Sequence, residues 1–179
     1  MIEHRLIERM LELARKEVCR ITQRKQTDVV FLDHAVDFIK TYADRTHHGK
    51  EEDILFRDLE KRPLSPEHRK MMQDLVDEHK FARGVVAELV AARQRYMAGD
   101  AQAAEVIRVK LQALADFYPV HIAKEDTEFF PATERYYSKS ELDAMLQEFW
   151  EFDRNMIHDK YKAVVKQFEG ERRGMACSP

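Results

Sequence analysis

Apolar residues recur at intervals of three or four along most of the chain, the period that buries one face of an α-helix. Pro and Gly interrupt this pattern and divide it into five segments. The predicted helices run from Ile2 to Thr22, from Thr27 to Leu59, from a cap at Ser65 to about Gly99, from about Asp100 to the residue before Pro131, and from Ser140 to about Phe168. Four long helices with short connections are typical of an up-down antiparallel bundle. We therefore predict an all-α protein in which a four-helix bundle is followed by an additional C-terminal helix.

Length and composition agree with one helical domain. The chain has 179 residues, only five Gly and five Pro, and 35% charged residues, which favours long helices with solvated outer faces. We expect the bundle domain to span residues 1–170, with the ligand helices within 2–131 and the extra helix at about 140–168. Residues 171–179 are predicted to form a flexible tail.

Charge and hydropathy argue against two classes of partner. The net charge of -3 is spread over mixed signs, so nothing indicates binding to nucleic acid. No apolar run approaches the ~18 residues of a membrane span, and no signal peptide is evident, so we expect a cytoplasmic protein without a membrane partner. Cys19 and Cys177 form neither a metal-binding pair nor a disulfide framework, and we expect Cys19 to lie in the core.

Two of the predicted helices carry the same motif, a His followed four residues later by a Glu. Residues four apart project side by side from an α-helix, so each motif offers one nitrogen and one carboxylate to the same point. The motifs are His47 with Glu51 and His121 with Glu125. Each His continues the apolar stripe of its helix, and ionisable groups are expensive to bury unless they are paired or bound to metal.

A second repeat accompanies the first. Glu3-His4-Arg5 resembles Glu78-His79-Lys80, and the offset of 75 residues (79 minus 4) nearly equals the offset of 74 between the two motifs (121 minus 47). The chain therefore has the pattern of two related helical hairpins. Pairing them about a pseudo-two-fold axis would bring four His and two Glu to one level of the core, which predicts a two-metal site. Imidazole and carboxylate suit iron, zinc or manganese, whereas a structural zinc or iron-sulfur site of the Cys type would need thiolates.

These segments resemble the hemerythrin-like (HHE) proteins, whose pattern of His, His-x-x-x-Glu, His, His-x-x-x-Glu is matched in order over about residues 2–131. The resemblance implies a non-haem pair of oxo- or hydroxo-bridged iron ions, and a small diatomic or peroxide ligand. Carried over to this chain, it makes the following residues metal ligands: His4, His47, His79 and His121 as terminal ligands, and Glu51 and Glu125 as bridges.

One position departs from the family pattern. Hemerythrin oxygen carriers have a fifth His four residues after the ligand of the third helix, and this chain has Arg83 there. Either the site has more open positions or another residue fills one. His48 lies about 60° around the helix from Glu51 and could reach in, although a His48-x-x-x-Glu52 register falls to one side of the apolar stripe. Tyr118, one turn before His121, is the other possible ligand; Glu8 is expected to be solvated.

The leading functional hypothesis is a di-iron protein that binds or reduces dioxygen, peroxide or nitric oxide. Without a His at position 83 we favour sensing, scavenging or peroxide turnover over reversible oxygen carriage, and we assign no catalytic residue. One alternative is a metal-stabilised sensing or interaction module without turnover, in which Phe149, Trp150 and Phe168 dock a partner or a second copy as a homo-oligomer. Ferritin-type iron handling is disfavoured, because those proteins use Glu-x-x-His pairs and this chain has none.

Overall fold

The computed structural model describes the backbone of residues 2–171 and the side chains of residues 3–156 and 160. Helix α1 is Ile2–Arg24, α3 is Pro66–Met97 and α5 is Lys139–Glu171. Helix α2 (residues 29–59) consists of Val29–Phe38, the π-helical segments Ile39–His48 and Glu51–Phe56, and a last turn Arg57–Leu59. Helix α4 (residues 103–134) consists of Ala103–Lys124, the π-helical segment Glu125–Phe129, and Phe130–Glu134. The described residues contain no β-strand, so the predicted all-α class is confirmed.

The chain divides into two compact units, Met1–Ser138 with helices α1 to α4 and Lys139–Pro179 with α5. In the first unit, α4 packs against α1 and α3, and α2 packs against α1 and α3. Their apolar stripes meet in two core clusters, and all four helices contribute to the larger one: Ile7 and Leu11, Leu32 and Ile39, Leu89, Leu111 and Leu114. None of the helices described is both long and apolar enough to cross a membrane. The side chain of Phe168 and residues 172–179 lie outside the described residues.

Polar caps determine where two of the helices begin. Asp28 precedes α2 and accepts a hydrogen bond from the backbone N–H of Phe31 at 3.0 Å. Ser65 precedes α3 and accepts one from the backbone N–H of His68 at 3.2 Å, which confirms the predicted cap. Both side chains satisfy a backbone donor that has no partner within its helix.

The predicted end of the fourth helix before Pro131 was wrong, because α4 continues to Glu134. Pro131 lies in the first turn of the α-helical segment that follows a π-helical one. Because the π-helical segment runs directly into this one, Pro131 removes one N–H from a continuous helix, which then ends at Glu134.

Pro119 lies inside α4 and removes the N–H that would bond to the carbonyl of Ala115. The guanidinium of Arg15 on α1 donates to that carbonyl instead, and it also pairs with Asp116 at 3.1 Å. The break in the helix is therefore compensated by a contact between α1 and α4.

Cys19 is exposed, so its expected place in the core was wrong. Val18 beside it takes the core position and is 6% exposed. Adjacent residues are about 100° apart around an α-helix, which turns Cys19 away from the apolar stripe.

The π-helical segments widen α2 and α4 where chemistry is expected. In such a segment the backbone bonds run over five residues rather than four; the N–H of Gly49, for example, donates to the carbonyl of Asp44. A wider turn rotates less per residue, so neighbouring side chains point in more similar directions. His47, His48 and Glu51 lie in two of these segments, and the third begins at Glu125.

The buried carboxylate of Glu17 stabilises the connection between α1 and α2 through hydrogen bonds. Glu17 is 6% exposed and accepts hydrogen bonds from the backbone N–H of Asp28 at 2.7 Å and the hydroxyl of Thr27 at 3.1 Å, while Arg20 donates to it at 2.7 Å. We expect Glu17→Ala to lower the free energy of unfolding by about 1–3 kcal/mol, because it leaves buried donors unpaired. Glu12→Ala, at a site 70% exposed on the same helix, should change it by less than about 0.5 kcal/mol. Urea denaturation measures both, and equal effects would contradict the assignment.

Candidate metal centre

The side chains predicted as metal ligands all lie in the interior of the first unit. Each is at most 2% exposed: His4, His47, Glu51, His79, His121 and Glu125. They come from all four helices, α1 to α4 in chain order. Helical repeats in the sequence therefore do bring these residues to one place, as the two-hairpin interpretation expects.

The first set is a His/Glu cluster made of His4, His47, Glu51 and Glu125. One ligand-capable atom from each residue lies within 4.8 Å of all the others. Nε2 of His4 is 3.2 Å from Oε2 of Glu125, and Nε2 of His47 is 3.7 Å from Oε1 of Glu51. Two imidazoles and two carboxylates thus face one point.

The second set is a three-His cluster made of His48, His79 and His121, again with ligand-capable atoms within 4.8 Å of one another. The rings of His48 and His79 are stacked, with centroids 3.8 Å apart and planes 8° apart. His48 is 1% exposed. The additional imidazole in this part of the core is therefore that of His48 from α2. A regular α-helix would have directed this side chain to one side of the apolar stripe.

The two glutamates extend from one cluster to the other. Oε2 of Glu125 faces His4, whereas its Oε1 lies 3.1 Å from Nε2 of His121. Oε1 of Glu51 faces His47, whereas its Oε2 lies 3.5 Å from Nε2 of His79. Each carboxylate offers one oxygen to each cluster, which is the arrangement a bridging ligand requires.

Outer carboxylates orient the imidazole rings. The Nδ1 atom of each of four histidines lies within hydrogen-bond distance of an acidic side chain: His4 with Asp126 at 3.0 Å, His47 with Glu3 at 3.0 Å, His79 with Glu52 at 2.6 Å, and His121 with Glu78 at 2.8 Å. An ionised carboxylate only accepts, so Nδ1 carries the proton and donates. Nε2 is then left with its lone pair toward the interior, the form that binds a metal.

The outer contacts repeat with the two hairpins. Glu3 bonds to His47 and pairs with Lys50, and Glu78 bonds to His121 and pairs with Lys124. The His47 ring and Lys50 help to lower the pKa of Glu3 to about 2, although burial alone would raise it. Glu3 is therefore ionised at neutral pH and holds the tautomer of His47.

Arg83 does not leave a gap in the site. Its Nε donates to Asp44 at 2.7 Å and its second guanidinium nitrogen donates to Glu52 at 2.8 Å. Asp44 in turn accepts from Nδ1 of His48 at 3.3 Å, and Glu52 accepts from His79. The cation thus holds the two carboxylates that orient two rings of the three-His cluster.

The other two candidates for an additional ligand differ in position: Tyr118 is buried beside the three-His cluster, and Glu8 lies on the surface. Tyr118 is 1% exposed, and its ring centroid is 6.1 Å from that of His48 and 6.3 Å from that of His121. Glu8 pairs with Arg5 at 2.8 Å on the exposed surface, as expected for a solvated residue.

Burial and mutual repulsion shift the titration of the central groups. Burial lowers the pKa of His47, and it lowers the pKa of His48 to about 3, so these rings are neutral at physiological pH. Burial and the neighbouring Glu125 carboxylate raise the pKa of Glu51 well above its usual value. Burial opposes ionisation of Glu125 as well, but contacts with His121 and His4 keep its pKa low. A cation between the glutamates would relieve this repulsion.

The centre also contains buried polar atoms without a hydrogen-bond partner. These atoms are Nε2 of His48, His79 and His121 and both carboxylate oxygens of Glu51 and Glu125. Buried polar atoms are nearly always paired in folded proteins, so a concentration of unpaired ones marks a place for another group. Nitrogen and carboxylate donors without thiolate fit iron, zinc or manganese.

Sequence reasoning missed the outer carboxylates Asp44, Glu52 and Asp126. A signal was present for two of them, because an acidic residue directly follows the motif glutamate in both repeats, as Glu51-Glu52 and Glu125-Asp126. The rejected His48-x-x-x-Glu52 register contains one inward and one outward residue: His48 joins the centre, and Glu52 supports His79 from outside.

The fold and these clusters define an all-helical protein with a His/Glu site that fits metal. The model of the family described as hemerythrin HHE cation binding domain matches residues 1–133, so the chain belongs to that family and the resemblance seen in the sequence is confirmed. Comparison with curated proteins and comparison with solved structures each give no match.

Proposed function

We propose that the protein holds two iron ions, bridged by Glu51 and Glu125, in the core of an up-down antiparallel four-helix bundle. The observation that carries this proposal is the pair of adjacent buried clusters, each within 4.8 Å, which both glutamates join. His4 and His47 would hold one ion, and the three-His cluster would hold the other. The family membership supports a cation site over residues 1–133.

A pair of iron ions would supply the electron transfer needed to bind or reduce a small oxidant such as dioxygen, peroxide or nitric oxide. The chain contributes neutral imidazoles, carboxylates that hold their tautomers, and exclusion of bulk water. These roles follow from the burial of the ligands and from the outer hydrogen bonds of Glu3, Glu52, Glu78 and Asp126.

His48 changes the argument drawn from Arg83. The preference for sensing or peroxide turnover rested on a missing fifth histidine, and His48 supplies a fifth imidazole from another helix. The number of histidines therefore does not separate this site from an oxygen carrier. The proposal accordingly covers both binding and reduction of the oxidant.

Iron analysis combined with an optical spectrum tests the proposal. Metal-free protein loaded with ferrous iron and exposed to air should retain two irons per chain and develop the near-ultraviolet and visible absorption of a bridged ferric pair. Adding peroxide to the reduced protein should restore that absorption. A His47→Ala, His121→Ala double variant is the control for adventitious iron and should retain neither ion.

Two outcomes would overturn this function. Wild-type protein that retains no more iron than the double variant would remove the metal assignment. Protein that retains metal but shows no optical change with oxygen, peroxide or nitric oxide would favour the metal-stabilised interaction module.

A further inference from the structure

A cavity of about 330 Å³ lies between α2 and α3 and reaches the metal centre. His48 and Tyr118 line it, so one side of the cavity is formed by a residue of the three-His cluster. Leu55 and Phe129 do not line this cavity and pack in a separate apolar cluster with Phe56 and Leu75. The cavity therefore adjoins the candidate metal centre at His48.

The size of this cavity exceeds what a diatomic molecule needs. One water molecule has a share of about 30 Å³ in the liquid, and dioxygen or peroxide is of similar order. A cavity of about 330 Å³ falls in the range of sites for small organic ligands, roughly 300–1,000 Å³. Its dimensions thus indicate a ligand with a carbon body.

The lining has the composition of such a site. Ile39, Ala82, Val86 and Val90 provide apolar walls from two helices. Most of the exposed surface of the lining is apolar, although Lys40, Asp44, His48, Arg83 and Tyr118 also contribute to it. Such a lining favours a ligand with a hydrophobic body and one polar end.

The hydroxyl of Tyr118 is the group that would receive that polar end. Tyr118 is 1% exposed and its hydroxyl has no hydrogen-bond partner. A phenol keeps its proton at physiological pH, so the hydroxyl can donate a hydrogen bond. A buried donor without an acceptor is unfavourable, and a ligand oxygen would remove the penalty.

The charged residues of the lining argue for an uncharged head group. Asp44 and Arg83 bond to each other at 2.7 Å, and Lys40 is exposed to solvent. An anionic head placed near Tyr118 would also meet the carboxylate of Asp44, which lines the same cavity. A hydroxyl-type oxygen meets no such repulsion.

We propose that this cavity binds a small organic molecule with an apolar body and one uncharged hydroxyl-type oxygen, the class of organic alcohols and hydroperoxides, with that oxygen on Tyr118. The inference deepens the proposed function, on which it rests, by naming the class of molecule that lies beside the metal pair. Binding itself uses the cavity walls and Tyr118, and it does not require an iron ligand to change.

A pair of probes with the same shape tests the head group. The alcohol 2-phenyl-2-propanol and the hydrocarbon tert-butylbenzene differ by a hydroxyl in place of a methyl group. Titration followed by NMR should show saturable binding of both to the wild-type protein, with the alcohol bound roughly three- to tenfold more tightly because of one hydrogen bond. In Tyr118→Phe the two affinities should become equal.

A matched pair of variants tests whether the probes bind in this cavity. Ala87 is an exposed residue of the cavity lining, and Ala87→Trp should fill the space and weaken both probes by more than tenfold. Ala91 is exposed on the same helix and is not part of the lining, so Ala91→Trp should leave both affinities unchanged. Circular dichroism of each variant confirms that the helices are retained.

The titrations are performed on the protein as purified and again after removal of metal, with iron measured separately. Failure of the alcohol to bind in a saturable manner, or equal binding to Ala87→Trp and wild type, would overturn the cavity proposal. Protein that binds iron but no alcohol would leave the proposed function standing. If the protein binds the alcohol but retains no iron, the cavity proposal stands and the proposed function is overturned.

Discussion

Replacing Glu51 by Gln should have opposite effects on the metal-free and the iron-loaded protein. Glu51 is 2% exposed, and both its oxygens lack hydrogen-bond partners. Without metal, its carboxylate is disfavoured by burial and by the neighbouring Glu125. The neutral amide has the same shape and removes this unfavourable charge, so Glu51→Gln should raise the free energy of unfolding of the metal-free protein by about 1–3 kcal/mol.

The stability that Glu51→Gln adds to the metal-free protein should increase with pH. The folded-state pKa of Glu51 is raised above its ordinary value of 4.5, so the folded protein holds a proton that the unfolded chain has released. Protonated Glu51 therefore makes its full contribution to the stability of the wild-type protein below pH 4.5. That contribution is lost as the pH rises through the raised pKa. The advantage of Glu51→Gln should therefore be absent at pH 4 and grow toward neutral pH, as measured by urea denaturation at several pH values.

In the iron-loaded protein the same substitution should lower the amount of iron that is retained. A Gln amide has one oxygen and cannot bridge two ions as a carboxylate does, so retained iron should fall below two per chain. Glu8→Gln is the matched control, because Glu8 is a surface residue that pairs with Arg5; it should change neither quantity substantially. Full retention of two irons by Glu51→Gln, or equal stability with wild type at neutral pH, would contradict the bridging role.

Helical periodicity was sufficient to predict most of the interior. His4 continues a stripe with Ile7, Leu11 and Ala14 at intervals of three or four, and all of these side chains are at most 2% exposed. A titratable residue that occupies a core position of a regular helix must lie in the core, because its neighbours on the stripe bury it. The same reasoning correctly placed Tyr118 and the two His-x-x-x-Glu motifs inside.

His48 was uncertain because the regular period fails locally. At about 100° per residue, an α-helix that directs His47 inward turns His48 well to the side. The segment Ile39–His48 is π-helical, and its wider turn lets both rings point into the core. Single-sequence patterns give no direct signal for such a segment, so the membership of His48 in the three-His cluster emerges only from the folded backbone.

The outer carboxylates were missed for a different reason. Glu52 and Asp126 lie at partly exposed positions, where acidic residues are usual on any helix. Their partners belong to other helices, since Glu52 bonds to His79 on α3 and Asp126 to His4 on α1. Contacts between helices depend on how the hairpins pair, which the spacing of one helix does not determine.

Replacing His48 by Leu should weaken the binding of one metal ion and leave the other ion bound. His48 is one of three imidazoles in its cluster, whereas the His/Glu cluster holds its own nitrogen and oxygen ligands. We expect loss of a ligand to lower the affinity of the weaker binding step by more than about 100-fold, since even outer partners of metal ligands contribute 10–100-fold. Iron titration in competition with a chelator should then show retention of one ion per chain instead of two.

Arg83→Met provides the graded companion to this experiment, because it keeps the apolar stem but releases both Asp44 and Glu52. His48 and His79 lose the anchoring of their carboxylates but remain present, so the same binding step should weaken by roughly 10–100-fold, less than in His48→Leu. His34→Leu, at an exposed histidine of the same helix α2, should leave both steps unchanged. If His48→Leu binds both ions as wild type does, His48 is not a ligand and the orienting role of Arg83 fails with it. If both variants lose both ions equally, the two clusters do not bind metal as separable sites.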